Sequence, residues 1–234
     1  MKTFLGLFMC ICSYSFAQMP LHQTNGVETL TTHSTVSKKY LALGDSYTIG
    51  QGVGEEERFP FLATQALAKG GVQIQGLKYL ATTGWTTRHL LSAIGEGSGG
   101  NYDAVTLLIG VNDHFYGVDT SVYRKRFLLL LQKATRLAGN NPAHVFVLSI
   151  PDYSATPFIS GEEKSRVSKE IDIFNNINRE VTLQNKVAYI DITQLSREVA
   201  KDPTLLASDK LHYSRKEHQK WADLLVPLMR LALK

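Results

Sequence analysis

The chain predicts an α/β fold: a three-layer α/β/α sandwich around a central parallel sheet of five strands. Two observations carry this. Short apolar runs recur five times, and stretches with the 3.6-residue period of amphipathic helices separate them. Such alternation builds βαβ units, whose right-handed crossovers lay helices against the sheet. In addition, Ala104 to Ile109 is apolar but for Thr106 and Val145 to Ile150 but for Ser149, as in strands covered on both faces. The order of the strands does not follow from this pattern.

At 234 residues, 44% hydrophobic and 20% charged, the chain suits one domain with a full core. It opens with Met1-Lys2, an apolar run from Phe4 to Ile11, and Ser15-Phe16-Ala17. A charged start, a short hydrophobic centre and a small-x-small exit predict a signal peptide over 1–17, cleaved after Ala17, and an exported product, periplasmic or secreted. Met9 and Ile11, which precede Cys10 and Cys12, are too large for a lipidation site. Both cysteines leave with the leader, so no disulfide is expected and stability must come from the core. Residues 18–38 are polar and aperiodic and read as an extension before a single domain at 39–234.

The first strand, at Leu41 to Leu43, stops at Gly44-Asp45-Ser46. Gly50-x-Gly52-x-Gly54 then lacks the Lys-Ser/Thr of a phosphate loop and the spacing of a dinucleotide fingerprint, and reads as a turn that lets the backbone pass near a site. Glu57 to Lys69 predicts a helix with Pro60 in its first turn and Gly70-Gly71 as its stop. Val72 to Leu80 is the second strand, ending in the turn Ala81 to Thr87, with a short helix through Leu90, Leu91 and Ile94 behind it. After a glycine-rich turn, Gly95 to Gly100, the third strand, Ala104 to Ile109, stops at Gly110-Val111-Asn112-Asp113.

Phe127, Leu130, Leu131, Ala134, Leu137 and Ala138 mark one face of the next helix. Arg124-Lys125-Arg126 at its start reads as a solvated face. Val145 to Ile150 is the fourth strand, and the long loop Pro151 to Gly161 is of the kind that shapes pockets. Val167, Ile171, Phe174, Ile177 and Val181 mark another helix, and Val187 to Ile192 the fifth strand. Ser214-x-x-Glu217 predicts a capping box for the last helix, with Trp221, Leu224, Leu225 and Leu228 facing the core and a modest kink at Pro227.

The formal charge, +4 and then +3 once Lys2 leaves, is scattered. No basic stripe interleaved with aromatics marks a nucleic-acid partner. No later apolar run reaches the ~20 residues of a membrane span. No zinc-ligand spacing is present, so no metal is expected.

Polar groups gather at the predicted strand ends. Ser46 follows the first strand, Gly84 the second, Asn112 the third, and Asp209 with His212 lies beyond the last. In an open parallel sheet these ends share one edge, where ligands bind. A serine needs a base, a group to orient that base and donors for the oxyanion. His212 suits the first role and Asp209, three residues earlier, the second. Taken singly, each is equally an ordinary turn or cap residue. Thr48 stands where the second glycine of a Gly-x-Ser-x-Gly elbow would be, which excludes that class of hydrolase.

Taken together, Gly44-Asp45-Ser46, Gly84 in a Thr-Thr-Gly-x-Thr turn, Gly110-x-Asn112-Asp113 and Asp209-x-x-His212 resemble the four blocks of the SGNH (GDSL-type) hydrolases, from Lys39 to the C-terminus. The resemblance implies a flavodoxin-like fold and serine esterase chemistry without metal or cofactor. It implies Ser46, Asp209 and His212 as the triad, and the Ser46 and Gly84 N–H groups with the Asn112 side chain as oxyanion hole. Tyr47 stands where the family often has Leu, and Asp-Lys-Leu-His-Tyr where Asp-Gly-x-His-Pro is frequent. These departures bear on substrate shape. Candidates for lining the acyl or alcohol pocket are Tyr47, His114, Phe115, Tyr116, Tyr153 and Phe158.

The expected substrates are acyl or acetyl esters of carbohydrate or lipid. A lysophospholipase or thioesterase-type acyl hydrolase is the alternative within the class. A non-catalytic binding protein on the same fold is the reading from another class, and Ser46, His212 and Asn112, whose loss would support it, are all present. A nucleotide- or phosphate-binding module resting on Asp45, Asp113 and the glycines near Gly52 would leave the Asp209/His212 pair without a role.

Overall fold

The computed structural model describes residues 37–95 and 100–234. The predicted signal peptide, the extension up to residue 36 and the centre of the turn Gly95 to Gly100 lie outside them. The strands are β1 (Lys38–Gly44), β2 (Ile74–Ala81), β3 (Ala104–Leu108), β4 (Val145–Leu148) and β5 (Ala188–Ile190). The helices are α1 (Ser46–Ile49), α2 (Phe59–Lys69), α3 (Thr87–Ile94), α4 (Val111–Phe115), α5 (Thr120–Leu137), α6 (Glu163–Gln184), α7 (Thr193–Arg197) and α8 (Arg215–Ala232).

All strand pairs are parallel and the order is β2-β1-β3-β4-β5. The chain moves one way from β1 to β2 and the other way from β2 past β1 to β3, β4 and β5. Right-handed crossovers therefore put α2 on one face and α3, α5 and α6 on the other. Contacts follow that rule: α2 packs on α8, and α5 packs on α3 and on α6. The direction reverses at β1, so a crevice opens between the carboxyl ends of β1 and β3. Ser46 follows the one and Asn112 the other.

Apolar residues of the sheet and the inner helix faces form one core, in which Leu43, Phe59, Leu107, Phe127, Phe146 and Trp221 are fully buried. Burial of such a side chain contributes about 1.5–3 kcal/mol. Tyr40 and Thr106 hydrogen-bond across β1 and β3 inside it, at 3.0 Å.

Several boundaries differ from the sequence expectation. β4 ends at Leu148 because the side chain of Asn175 on α6 takes over Ile150: Ile150 N–H donates to Asn175 Oδ1 and Asn175 Nδ2 donates to the Ile150 carbonyl. β5 ends at Ile190 because the N–H groups of Ile192 and Thr193 turn to Ser149 Oγ. The predicted helix from Glu57 is a 3₁₀ turn, Glu55–Glu57, followed by α2.

The capping box does not form. Ser214 Oγ donates to the Thr204 carbonyl at 2.7 Å, and Glu217 turns inward to accept from Trp221 Nε1 at 2.9 Å. In α8 the buried apolar residues are Trp221, Ala222, Leu225, Val226 and Met229, whereas Leu224 and Leu228 are exposed, contrary to expectation. At ~100° per residue the buried arc centres between Leu225 and Met229, which leaves Leu224 and Leu228 on its flank. The helix runs on through Pro227.

Candidate active site

β1 delivers Ser46 to the N-terminus of α1, where Asp45 is the N-cap and its Oδ1 accepts from Tyr47 N–H at 3.0 Å. Gly44 is required by crowding: a Cβ there would run into Thr48 Oγ1 and the Leu108 carbonyl. That close approach ties α1 to the end of β3. Beyond α1, the glycine loop turns at Gly50 (φ 68°) and Gly52 (φ 86°), and a Cβ on Gly52 would sit 2.8 Å from that of Ala207. The loop packs beside the segment that carries Asp209 and His212.

That segment is closed on itself. Ala207 N–H donates to the His212 carbonyl and Ser214 N–H to the Leu205 carbonyl. Asp209 Oδ1 accepts from Leu211 and His212 N–H, at 3.0 and 2.9 Å, and Oδ2 accepts from His212 Nδ1 at 2.7 Å. Although burial alone would raise it, these donors hold the Asp209 carboxyl below its usual range. With Nδ1–H given to Asp209, Nε2 is the ring atom left for other chemistry. Lys210 stands at φ 59°, where glycine is easily placed, so one departure from the family's frequent pattern falls on a left-handed residue. Tyr47, the other departure, meets the His212 ring edge-on at 5.7 Å and fixes its tilt.

Ser46, Gly84, Asn112 and His212 line one pocket of about 170 Å³, with Tyr47, Val111, Phe115, Tyr153, Phe158 and Leu211 among its walls. Gly84 has φ 81°. Asn112 Nδ2 donates to the Trp85 carbonyl at 2.9 Å, which leaves its second amide hydrogen for a ligand. Among the described residues, the N–H groups of Ser46 and Gly84 have no protein acceptor. Three donors thus open on the pocket beside a hydroxyl and an imidazole. No direct hydrogen bond joins Ser46 Oγ to His212; such bonds tighten in substrate complexes.

Of the six candidate pocket residues, Tyr47, Phe115, Tyr116, Tyr153 and Phe158 line this pocket. His114 does not. Its Nε2–H donates to Glu170 Oε2 at 2.8 Å and its Nδ1 lies 3.1 Å from the Tyr153 hydroxyl, behind the wall. Thr83, Val111 and Leu211 were missed from sequence, since small and apolar side chains carry no chemical mark.

Beneath the site lie two fully buried carboxyls. Asp113 accepts from Thr87 N–H (2.7 Å) and Oγ1 (2.5 Å), which anchors the start of α3. Burial pushes Asp45 up to about 8, with Asp113 adding to the rise. Among the described residues no cluster of three or more His, Cys, Asp or Glu is placed to hold a metal, and no helix is long and apolar enough to cross a membrane.

The fold and this pocket define a class: a parallel α/β/α protein whose serine sits at the switch point of the sheet, beside an imidazole. Residues 42–220 match the GDSL-like lipase/acylhydrolase family, and the chain belongs to it, an enzyme that hydrolyses ester bonds. The fold is similar to that of the lipase Lip_vut3 from a goat rumen metagenome (21% identity, 82% of this chain and 97% of that one, TM-score 0.66). It is similar to the psychrotrophic esterase EstA of a Pseudoalteromonas (18%, 83% and 98%, TM-score 0.61), whose structure was solved inhibited by monoethylphosphonate. It also resembles Axe2, an acetyl-xylooligosaccharide esterase of a Geobacillus (19%, 83% and 96%, TM-score 0.62). No curated protein matches the chain significantly.

Proposed function

We propose that the protein hydrolyses esters of short acyl groups through a serine acyl-enzyme. Ser46 is the nucleophile, His212 the base and Asp209 the group that orients it. The Ser46 and Gly84 N–H groups and Asn112 Nδ2 are the oxyanion donors. The observation that carries this reading is the 2.7 Å bond from His212 Nδ1 to Asp209, in a ring that lines one pocket with Ser46 and all three donors.

Ser46 Oγ attacks the ester carbonyl carbon while His212 Nε2 takes its proton, and the carbonyl electron pair moves onto oxygen, where the donors strengthen as charge forms. Collapse breaks the bond to the alcohol oxygen, which takes the proton from His212. Water repeats the sequence on the acyl-enzyme and releases the acid. No step needs a cofactor.

The acyl preference rests on the size and walls of the pocket: about 170 Å³ lined by Tyr47, Val111, Phe115, Tyr153, Phe158 and Leu211 suits a short acyl group. The leader-like pattern of residues 1–17 supports an exported enzyme, with the catalytic domain at 39–234.

Chromogenic acyl esters from acetyl to long chains, assayed with wild type and Ser46→Ala, test this. Turnover is expected to be highest on the short esters and to fall by several orders of magnitude in Ser46→Ala with the fold intact. Near-wild-type turnover in that variant would overturn the mechanism, and preference for long chains the acyl assignment.

A further inference from the structure

A second cavity, of about 590 Å³, adjoins the catalytic pocket, and Phe115 and Tyr153 line both. Its far side is the loop from α4 to α5 and the first turns of α6. The volume lies within the ~300–1,000 Å³ of small-molecule sites. The wall between the two cavities is braced by the chain Glu170, His114, Tyr153, closed at 2.8 and 3.1 Å.

The charges lining it are Asp119, Glu163, Glu170 and Arg166, beside the His114 ring. The Arg166 guanidinium is already spent: it lies 2.9 Å from both Glu170 oxygens and 3.5 Å from Glu163. Three carboxylates against one paired guanidinium leave the groove acidic, and no unpaired cation lines it among the described residues. Asp119 uses Oδ1 alone to cap α5. Carboxylate oxygens accept and cannot donate, so the groove suits a ligand rich in hydroxyl donors and disfavours an anion. Phe115, 53% exposed at the shared edge, offers an apolar face to the C–H side of such a ligand.

We propose that this groove receives the alcohol part of the ester, and that this alcohol is an uncharged, hydroxyl-rich group such as a sugar ring rather than one bearing phosphate or carboxylate. The proposal rests on the ester-hydrolase reading above. The acyl group occupies the apolar pocket at Ser46, the scissile bond lies at the oxyanion donors, and the polyol extends past Phe115 into the groove.

The test compares three acetyl esters: of a neutral sugar, of the same sugar carrying a phosphate, and of ethanol. kcat/KM is measured at low and high ionic strength for the wild type and for Glu163→Lys. Glu163 is well exposed and outside the catalytic machinery, so this variant should keep wild-type turnover of ethyl acetate. The neutral sugar ester is expected to exceed the ethyl ester by roughly tenfold, mainly through KM, and the phosphorylated ester to fall roughly tenfold below the neutral one. That second gap should narrow with salt and in Glu163→Lys. A phosphorylated ester hydrolysed as well as the neutral one, or a sugar ester no better than the ethyl ester, would overturn the proposal. Ser46→Ala, run on the ethyl ester, separates this from failure of the ester-hydrolase reading: only the latter leaves its turnover intact.

Discussion

The strand edge that carries Ser46, Gly84 and Asn112 and the aromatic wall that faces it are built by opposite means. On the edge, each group is held by backbone: Ser46 by the cap of α1, Gly84 by a left-handed turn, Asn112 by the N-terminus of α4 and its bond to the Trp85 carbonyl. On the wall, Phe115, Tyr116 and Phe158 are more than half exposed and hold one another by ring contacts of 5.4 and 6.3 Å. Chemistry needs reacting atoms fixed to fractions of an ångström. Selectivity needs only a shaped apolar surface, which loop side chains supply.

If the division holds, variants on the edge should change kcat and variants on the wall should change preference. His212→Ala should produce the largest loss, by at least ~10³-fold in kcat, with Asp209→Ala smaller, because the ring then loses its orientation but not its proton-accepting atom. Steady-state kinetics on a short ester at neutral pH check both. Asn112→Ala should lower kcat by roughly 10²–10³-fold with little change in KM. Measured beside the thermal midpoint, a lower midpoint with unchanged kcat would make Asn112 a turn residue only. On the wall, Phe158→Ala should leave kcat on acetyl esters near wild type and raise kcat/KM for acyl groups two methylenes longer by roughly tenfold, since each methylene is worth about 0.8 kcal/mol of burial. Equal loss on all chain lengths would place Phe158 in the machinery instead.

The same contrast governs what could be read in advance. β1 and β3 were legible because Tyr40 to Gly44 and Ala104 to Leu108 are buried on both faces and almost wholly apolar, Thr106 being the polar exception. The site at their ends was legible because its residues recur in four blocks with fixed order, although each block alone is ordinary turn chemistry. Helices α1, α4 and α7, of four or five residues, are too short to show a period. The capping box failed because the Thr204 carbonyl, ten residues upstream of Ser214, competes for the hydroxyl, and only tertiary structure brings it there. His114 could not be assigned to one cavity or the other, since its partners lie 39 and 56 residues away.

A smaller effect sharpens the edge itself. The raised Asp45 carboxyl is protonated when folded and ionised when unfolded between an ordinary Asp pKa and about 8. The unfolded state therefore loses its proton first, and stability falls as pH rises through that window. Asp45→Asn keeps an acceptor for Tyr47 N–H and cannot ionise, so its unfolding free energy should vary less with pH there. Denaturant midpoints of both proteins across the window check this, and parallel curves would mean that Asp45 is ionised in the fold.

The central claim is that Ser46, activated by His212, is the reacting atom. A short alkyl phosphonate ester with a good leaving group, incubated with the protein and followed by peptide mass mapping, tests it most directly. The account predicts one phosphonyl group per chain, on Ser46, formed at wild-type rate in Phe158→Ala and strongly slowed in His212→Ala. An adduct on another residue, or labelling of Ser46 at an undiminished rate without His212, would contradict it.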